Sequence, residues 1–174
     1  WSADLPGGTR LTLVGHAGPE APPAAHRFTV EESDARALVL GWGDPGWMPR
    51  TAPAALAAID ATDRAWAGWL ASGRIPDGPS RSLLERSALV LRGLTYAPTG
   101  LPVAAATTSL PETPGGERNW DYRYTWLRDG TYTLAALQDL GFLEEARRFI
   151  RFLAAEHARG VPLQLMFRVG GEHD

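Results

Sequence analysis

The sequence predicts a segregated α+β protein, with a strand-rich first fifty residues followed by amphipathic helices. Three observations carry this reading. Apolar residues alternate with period two between Gly/Pro-rich turns up to about residue 50. Helical spacing takes over after Pro49. No internal repeat, heptad run or low-complexity tract interrupts the pattern.

In the front part, Leu11 and Leu13 alternate with Arg10 and Thr12, and His26, Phe28 and Val30 alternate with Arg27, Thr29 and Glu31. A short apolar run from Ala37 to Leu40 ends at Gly41-Trp42-Gly43. Separated by turns such as Gly18-Pro19-Glu20-Ala21-Pro22-Pro23, these runs suit an antiparallel sheet with one wet face.

A helix is expected from Thr51 or Ala52, with Pro53 in its first turn, where a missing N–H costs nothing. Leu56, Ile59, Trp66 and Leu70 fall on one arc of it, and Gly73 is its expected stop. After a break at Ile75-Pro76-Asp77-Gly78-Pro79, Ser82 and Glu85 fit a capping box. The helix they open, to about Leu94, is apolar nearly all round and should be buried on several sides. Residues 96–125 read as an irregular connection, long enough to suggest function. Two helices close the pattern as an αα-hairpin. One runs over about 130–140 with Leu134, Leu137 and Leu140 on one side and Gly141 as its stop; the other runs over about 143–158 and buries Ala146, Phe149, Ile150 and Leu153.

Composition bounds the function. A hydrophobic fraction of 44% with seven Trp belongs to a folded globular chain. The net charge of −3 gives no reason to expect a nucleic-acid partner. All seventeen basic residues are Arg, which fits codon bias in a GC-rich genome better than any chemistry. Without cysteine, disulfides and thiolate metal sites are excluded, and no apolar run approaches the roughly 20 residues of a membrane span. No cofactor or membrane partner is expected. The N-terminus lacks a charged-then-apolar leader, which favours the cytoplasm over secretion. The start at Trp1 and the close at Gly171-Glu172-His173-Asp174 read as a piece of a longer polypeptide.

The chemistry-bearing stretch is Glu117-Arg118-Asn119-Trp120-Asp121-Tyr122-Arg123-Tyr124-Thr125-Trp126-Leu127-Arg128-Asp129. A neutral sugar presents apolar C–H faces to aromatic rings, and hydroxyls that both donate and accept. Arg supplies fixed donors and Asp supplies acceptors. Blander roles stand beside that one. Asp129 suits a helix N-cap. Arg123 and Arg128 can pair with Asp121 and Asp129 as salt bridges. Trp120 and Trp126 are by default core aromatics, and Glu117 and Arg118 belong to a solvated loop. The residues alone reach a polar-aromatic pocket at a helix start.

A longer pattern goes further. Ser87-Ala88-Leu89, Leu94-Thr95-Tyr96, Pro98-Thr99-Gly100, the run from Ala104 to Glu112, Gly115-Gly116, and the run from Arg118 to Asp129 together resemble glycoside hydrolase family 15. That family includes glucoamylases, glucodextranases and prokaryotic trehalases. Leu163-Gln164-Leu165-Met166-Phe167 with Gly170-Gly171-Glu172 resembles the next stretch of bacterial members. The resemblance implies that residues 1–50 end an N-terminal β-(super)sandwich, 51–79 form a linker helix and loop, and 80–174 begin an (α/α)6 barrel. It implies exo-acting, inverting hydrolysis of terminal α-glucosidic bonds in an α-glucan, a maltooligosaccharide or trehalose. Arg128 and Asp129 then bind hydroxyls of the non-reducing-end glucose, and Tyr122 and Trp126 line the same subsite. Gly130 stands where bacterial members commonly have Ala.

An inverting glycosidase also needs an acid and a base, roughly 6.5–9.5 Å apart. In the family both are glutamates from later barrel helices, and no motif here matches them, so no catalytic residue is expected in this chain and the remainder of the polypeptide must supply them. Glu144 and Glu145 are expected on a solvated helix face, and Glu156 and Glu172 have no obvious partner. His157 and His173 read as surface residues. Two other functions fit the same scaffold: a non-catalytic sugar-binding homologue and a glycoside phosphorylase.

Overall fold

The computed structural model describes residues 2–15, 29–108, 113–160 and 162–172. The chain divides into two compact units, residues 1–66 and 67–174. Helices and small antiparallel sheets make up an α+β chain, with the first three strands before the helices and short strand pairs interspersed among the later ones.

In the first unit, strands β1 (Ser2–Asp4), β2 (Arg10–Val14) and β3 (Val39–Trp42) form an antiparallel sheet in chain order. Leu11 lies opposite Trp42 and Leu13 opposite Leu40, so the alternating pattern does set a register. The strand expected around Val30 does not form over residues 29–31, and Val30 is exposed. His26, Phe28 and the turn at 18–23 lie outside the described residues. A single-turn helix at Pro45–Trp47 brings Met48 into the core. A Cβ on Gly41 would lie 2.7 Å from Met48 Sδ, so a larger residue there would have to displace the methionine side chain.

Helix α1 (Ala52–Ala71) starts as its sequence predicts. Thr51 accepts the amide of Ala54 on its hydroxyl (3.3 Å) and that of Ala55 on its carbonyl (3.0 Å), with Pro53 in the first turn. Leu56 and Ile59 are exposed, however, and border an open apolar groove of about 660 Å³ with Leu38, Leu40 and Trp47.

The second unit contains the end of α1, helices α2 (Arg81–Gly93), α3 (Leu127–Asp139) and α4 (Leu143–Ala158), and two short strand pairs. The pairs are β4 (Thr95–Tyr96) with β5 (Leu101–Pro102), and β6 (Thr125–Trp126) with β7 (Met166–Phe167). One core cluster joins Ile75, Ala88, Leu137 and Phe142, and a second joins Leu101, Leu134, Ala146 and Phe149.

Several local expectations are corrected. The capping box does not form: α2 starts at Arg81 without a side-chain cap, and Glu85 instead takes Arg81 Nε at 2.8 Å. The helix is not buried all round, since Leu83 and Val90 are exposed and only Ala88 is fully enclosed. On α4, Ala146 and Phe149 are buried as expected but Ile150 is exposed. Glu144 is solvated and pairs with Arg147 and Arg151, whereas Glu145 is 5% exposed. Its Oε1 accepts Trp69 Nε1–H at 2.9 Å and lies 3.3 Å from Arg92 Nη1, because a carboxylate can be buried only when donors replace its water. Glu156 is also buried, and Arg159 pairs with it at 2.6 Å. His157 is exposed as expected, and His173 lies outside the described residues.

The turn between α3 and α4 is a Schellman motif. Gly141 takes the left-handed conformation (φ 86°), its amide bonds Gln138 O (2.8 Å), and the Phe142 amide bonds Leu137 O (2.9 Å). Gly73 does not take that conformation, so it is not the left-handed stop its position suggests. It makes room: a Cβ there would lie 2.4 Å from Phe142 Cζ. Gly130 faces Phe149, whose Cζ would be 3.1 Å from an added Cβ.

These contacts predict opposite outcomes for two glycines of similar position. Gly73→Ala should destabilise the intact protein by about 2 kcal/mol, since the stacked Phe142 ring cannot yield. Gly68→Ala, with open space around it inside α1, should stabilise by up to about 1 kcal/mol. Urea denaturation midpoints read both.

Candidate functional site

The predicted site residues lie where β6 runs directly into α3. Pairing fixes this junction. Thr125 lies opposite Phe167 and Trp126 opposite Met166, and the Leu127 amide donates to Leu165 O at 3.0 Å. Phe167 and Thr125 are fully buried, so the junction sits on a packed floor. On its other side, the amides of Ala104 and Ala105 donate to Tyr124 O (3.1 Å) and Tyr122 O (2.8 Å). The connection 96–125 is thus partly ordered by backbone bonds, although residues 109–112 of the motif lie outside the described residues.

On this frame the four side chains form a continuous series. The Tyr122 and Trp126 rings are 6.2 Å apart at 46°. The Arg128 guanidinium carbon lies 6.0 Å from the Trp126 ring centre, within cation–π range. Arg128 Nη2 lies 3.1 Å from Asp129 Oδ2. Trp126 is buried, and its indole N–H donates to Asp121 O at 2.9 Å, so its one polar atom is satisfied within the loop. Trp120, expected in the core, is half exposed and meets Trp126 edge-on at 6.2 Å.

Asp129 is not the N-cap. The cap position is Trp126, and Asp129 is the third residue of α3, in the first turn, where the helix dipole favours its charge. Its Oδ2 is shielded from solvent and has no hydrogen-bond partner among the described residues; the neighbouring guanidinium is close enough to pair but not aligned to donate. A shielded acceptor without a donor is costly.

The Asp121–Arg123 pairing is realised in full. Arg123 donates to the Asp121 carboxylate from its backbone N (2.9 Å), from Nε (3.1 and 3.2 Å) and from Nη2 (2.7 Å). The side-chain bonds from Arg123, then its backbone amide, hold the Asp121 carboxyl below its ordinary pKa, and the same pairing keeps Arg123 more firmly protonated. The sequence carried this signal as an Asp-x-Arg spacing but did not show that the backbone amide joins it. Among the described residues no group of His, Asp or Glu could hold a metal ion, and no helix is long and apolar enough to cross a membrane.

The model of the glycosyl hydrolases family 15 matches residues 78–173. The chain belongs to that family. It is 46% identical to a trehalase of Mycolicibacterium smegmatis, over 94% of this chain and 25% of the relative. A trehalase of Mycobacterium tuberculosis is 46% identical over 94% of this chain and 24% of its own length. A trehalase of Thermoplasma acidophilum is 43% identical over 63% of this chain and 19% of the relative. The chain therefore spans about a quarter of the length of the mycobacterial relatives, and the similarity to them includes the strand-rich front. No solved structure matches it significantly.

The ion pair makes a pH prediction. Because its folded-state pKa is lowered, Asp121 contributes stability that is complete above its unfolded pKa and is lost as pH falls through the folded value. Asp121→Asn should thus show only a small deficit against wild type, since the pair is largely solvated, but one that is constant from about pH 8 to about pH 5 and closes only below about pH 4. Urea midpoints across pH measure it, and a deficit that already closes near neutrality would exclude this pair as its source.

Proposed function

We propose that this chain builds part of the first, glucose-holding subsite of an exo-acting, inverting glycoside hydrolase that cleaves terminal α-glucosidic bonds. Trehalose is its preferred substrate in this reading, because the relatives that share most of the chain are named trehalases. The observation that carries the site assignment is the shielded, donor-less Asp129 Oδ2, beside Arg128 and next to the Tyr122–Trp126 ring pair. Asp129 accepts a hydroxyl proton of the non-reducing-end glucose, Arg128 donates to a second oxygen, and the two rings take the apolar sugar face.

Within this reading, residues 1–50 end a β-sandwich, 51–79 link, and 80–174 open an (α/α)6 barrel. The buried carboxylates Glu145 and Glu156 are committed to Trp69, Arg92 and Arg159, and Glu144 to arginines on its own helix. In this reading, as the family resemblance implies, the acid that protonates the leaving oxygen and the base that activates water come from elsewhere in a longer polypeptide. The chain's own part is to fix the glucose so that its anomeric carbon lies between them.

In the complete polypeptide, Asp129→Ala should lower kcat/KM for trehalose roughly 10- to 150-fold, the equivalent of one charged hydrogen bond, while the far-UV spectrum is kept. Unchanged turnover would reject the sugar-binding role. Proton NMR of the first products should show α- and β-glucose in equal amounts, since inversion changes only the attacked residue. Formation of α-glucose alone would mean retention, and a requirement for phosphate would mean a phosphorylase.

A further inference from the structure

We propose that Asp121 and Arg123 form a positioning clamp for this subsite, setting the geometry of Tyr122 and Trp126 without touching the sugar. The inference rests on the subsite reading above and adds a device to it. The bracket closes around one residue. Asp121 and Arg123 flank Tyr122, and the Arg123 amide bonds the Asp121 carboxylate in a turn that fixes the backbone between them. The guanidinium then grips the same carboxylate from Nε and Nη2, a planar two-point match that a single point charge cannot make. The Asp121 carbonyl also receives the Trp126 indole N–H, so one residue governs both aromatic walls. The Ala105 amide holds the Tyr122 carbonyl, so displacement of the loop must break bonds on both sides.

The pair is poorly placed to serve stability. The Arg123 side chain is 59% exposed and that of Asp121 31%, and such pairs add little to folding. Yet Arg123 directs side-chain and backbone donors at one carboxylate, which is costly in side-chain freedom unless the resulting geometry matters. Fixing the loop in advance spares that ordering cost when sugar binds. The clamp therefore acts on affinity.

Steady-state kinetics on trehalose and calorimetric titration with glucose, both with the complete polypeptide, test this. Arg123→Leu should raise the trehalose KM and the glucose Kd about tenfold, with kcat changed less than threefold. Arg123→Lys should recover only part of the loss, since ammonium cannot grip the carboxylate in two places. A purely structural role gives the opposite pattern, with fewer active molecules, lower apparent kcat and unchanged KM and Kd. That pattern, or a KM and Kd within twofold of wild type, overturns the clamp. Should Arg123→Leu fail to fold, Asp121→Asn carries the test: it keeps the acceptor for the Arg123 amide and should raise both constants, and values within twofold of wild type overturn the proposal. Trp126→Ala separates the two levels. If it raises KM and Kd while Arg123→Leu does not, the clamp alone falls; if neither moves them, the subsite reading falls.

Discussion

Phe142 closes the Schellman turn after α3 with its amide, while its ring stacks on Trp69 at 4.0 Å and 12° in the space that Gly73 leaves open. Trp69 in turn donates to Glu145, which pairs with Arg92, whose guanidinium lies over the Trp69 ring at 5.8 Å. The end of α1 and helices α2, α3 and α4 are thus joined by one ring, one indole and one carboxylate. The arrangement leaves little choice of register. An aliphatic residue at 142 could fill the volume, but it would not stack on the indole and aim its N–H at Glu145. Stripped of those donors, Glu145 would be a buried charge costing several kcal/mol. The polar and apolar halves of the core therefore fix each other, and the direction of α3 follows from them.

That direction matters because α3 begins at the site. Its first turn carries Arg128 and Asp129 in succession, and successive helical residues do not normally face one another. They meet here within the first turn of α3 because the exposed Arg128 guanidinium leans back towards both Asp129 and the Trp126 ring.

Much of this was legible from residue types. Period-two alternation placed β2, a short apolar run placed β3, and Gly141 marked the turn of the αα-hairpin, because these signals are local. The site segment stood out for the same reason, being thirteen consecutive residues of concentrated polarity and aromaticity. The failures are equally physical. Ser82 and Glu85 satisfy the capping pattern, but Arg81 competes for the Glu85 carboxylate and wins. Glu144 and Glu145 are both expected to be wet, yet Glu145 stands one turn before the buried Phe149, and the partners on α1 and α2 make its burial possible. Asp129 looked like a cap because helix starts attract aspartate, yet the helix that follows the β6–β7 pairing starts three residues sooner.

The β6–β7 pairing has one more consequence. It joins residues about 40 apart in the chain, whereas the α3–α4 hairpin beside it closes over a short link. Loop-closure entropy favours the local contact first and weighs more heavily on the distant one. The helix hairpin can therefore assemble early, while the floor beneath Trp126 waits until the chain has returned through Leu165 and Phe167. A candidate site founded on so short and so distant a pairing belongs to the part of the fold that closes last and opens first, with local opening far less costly than global unfolding.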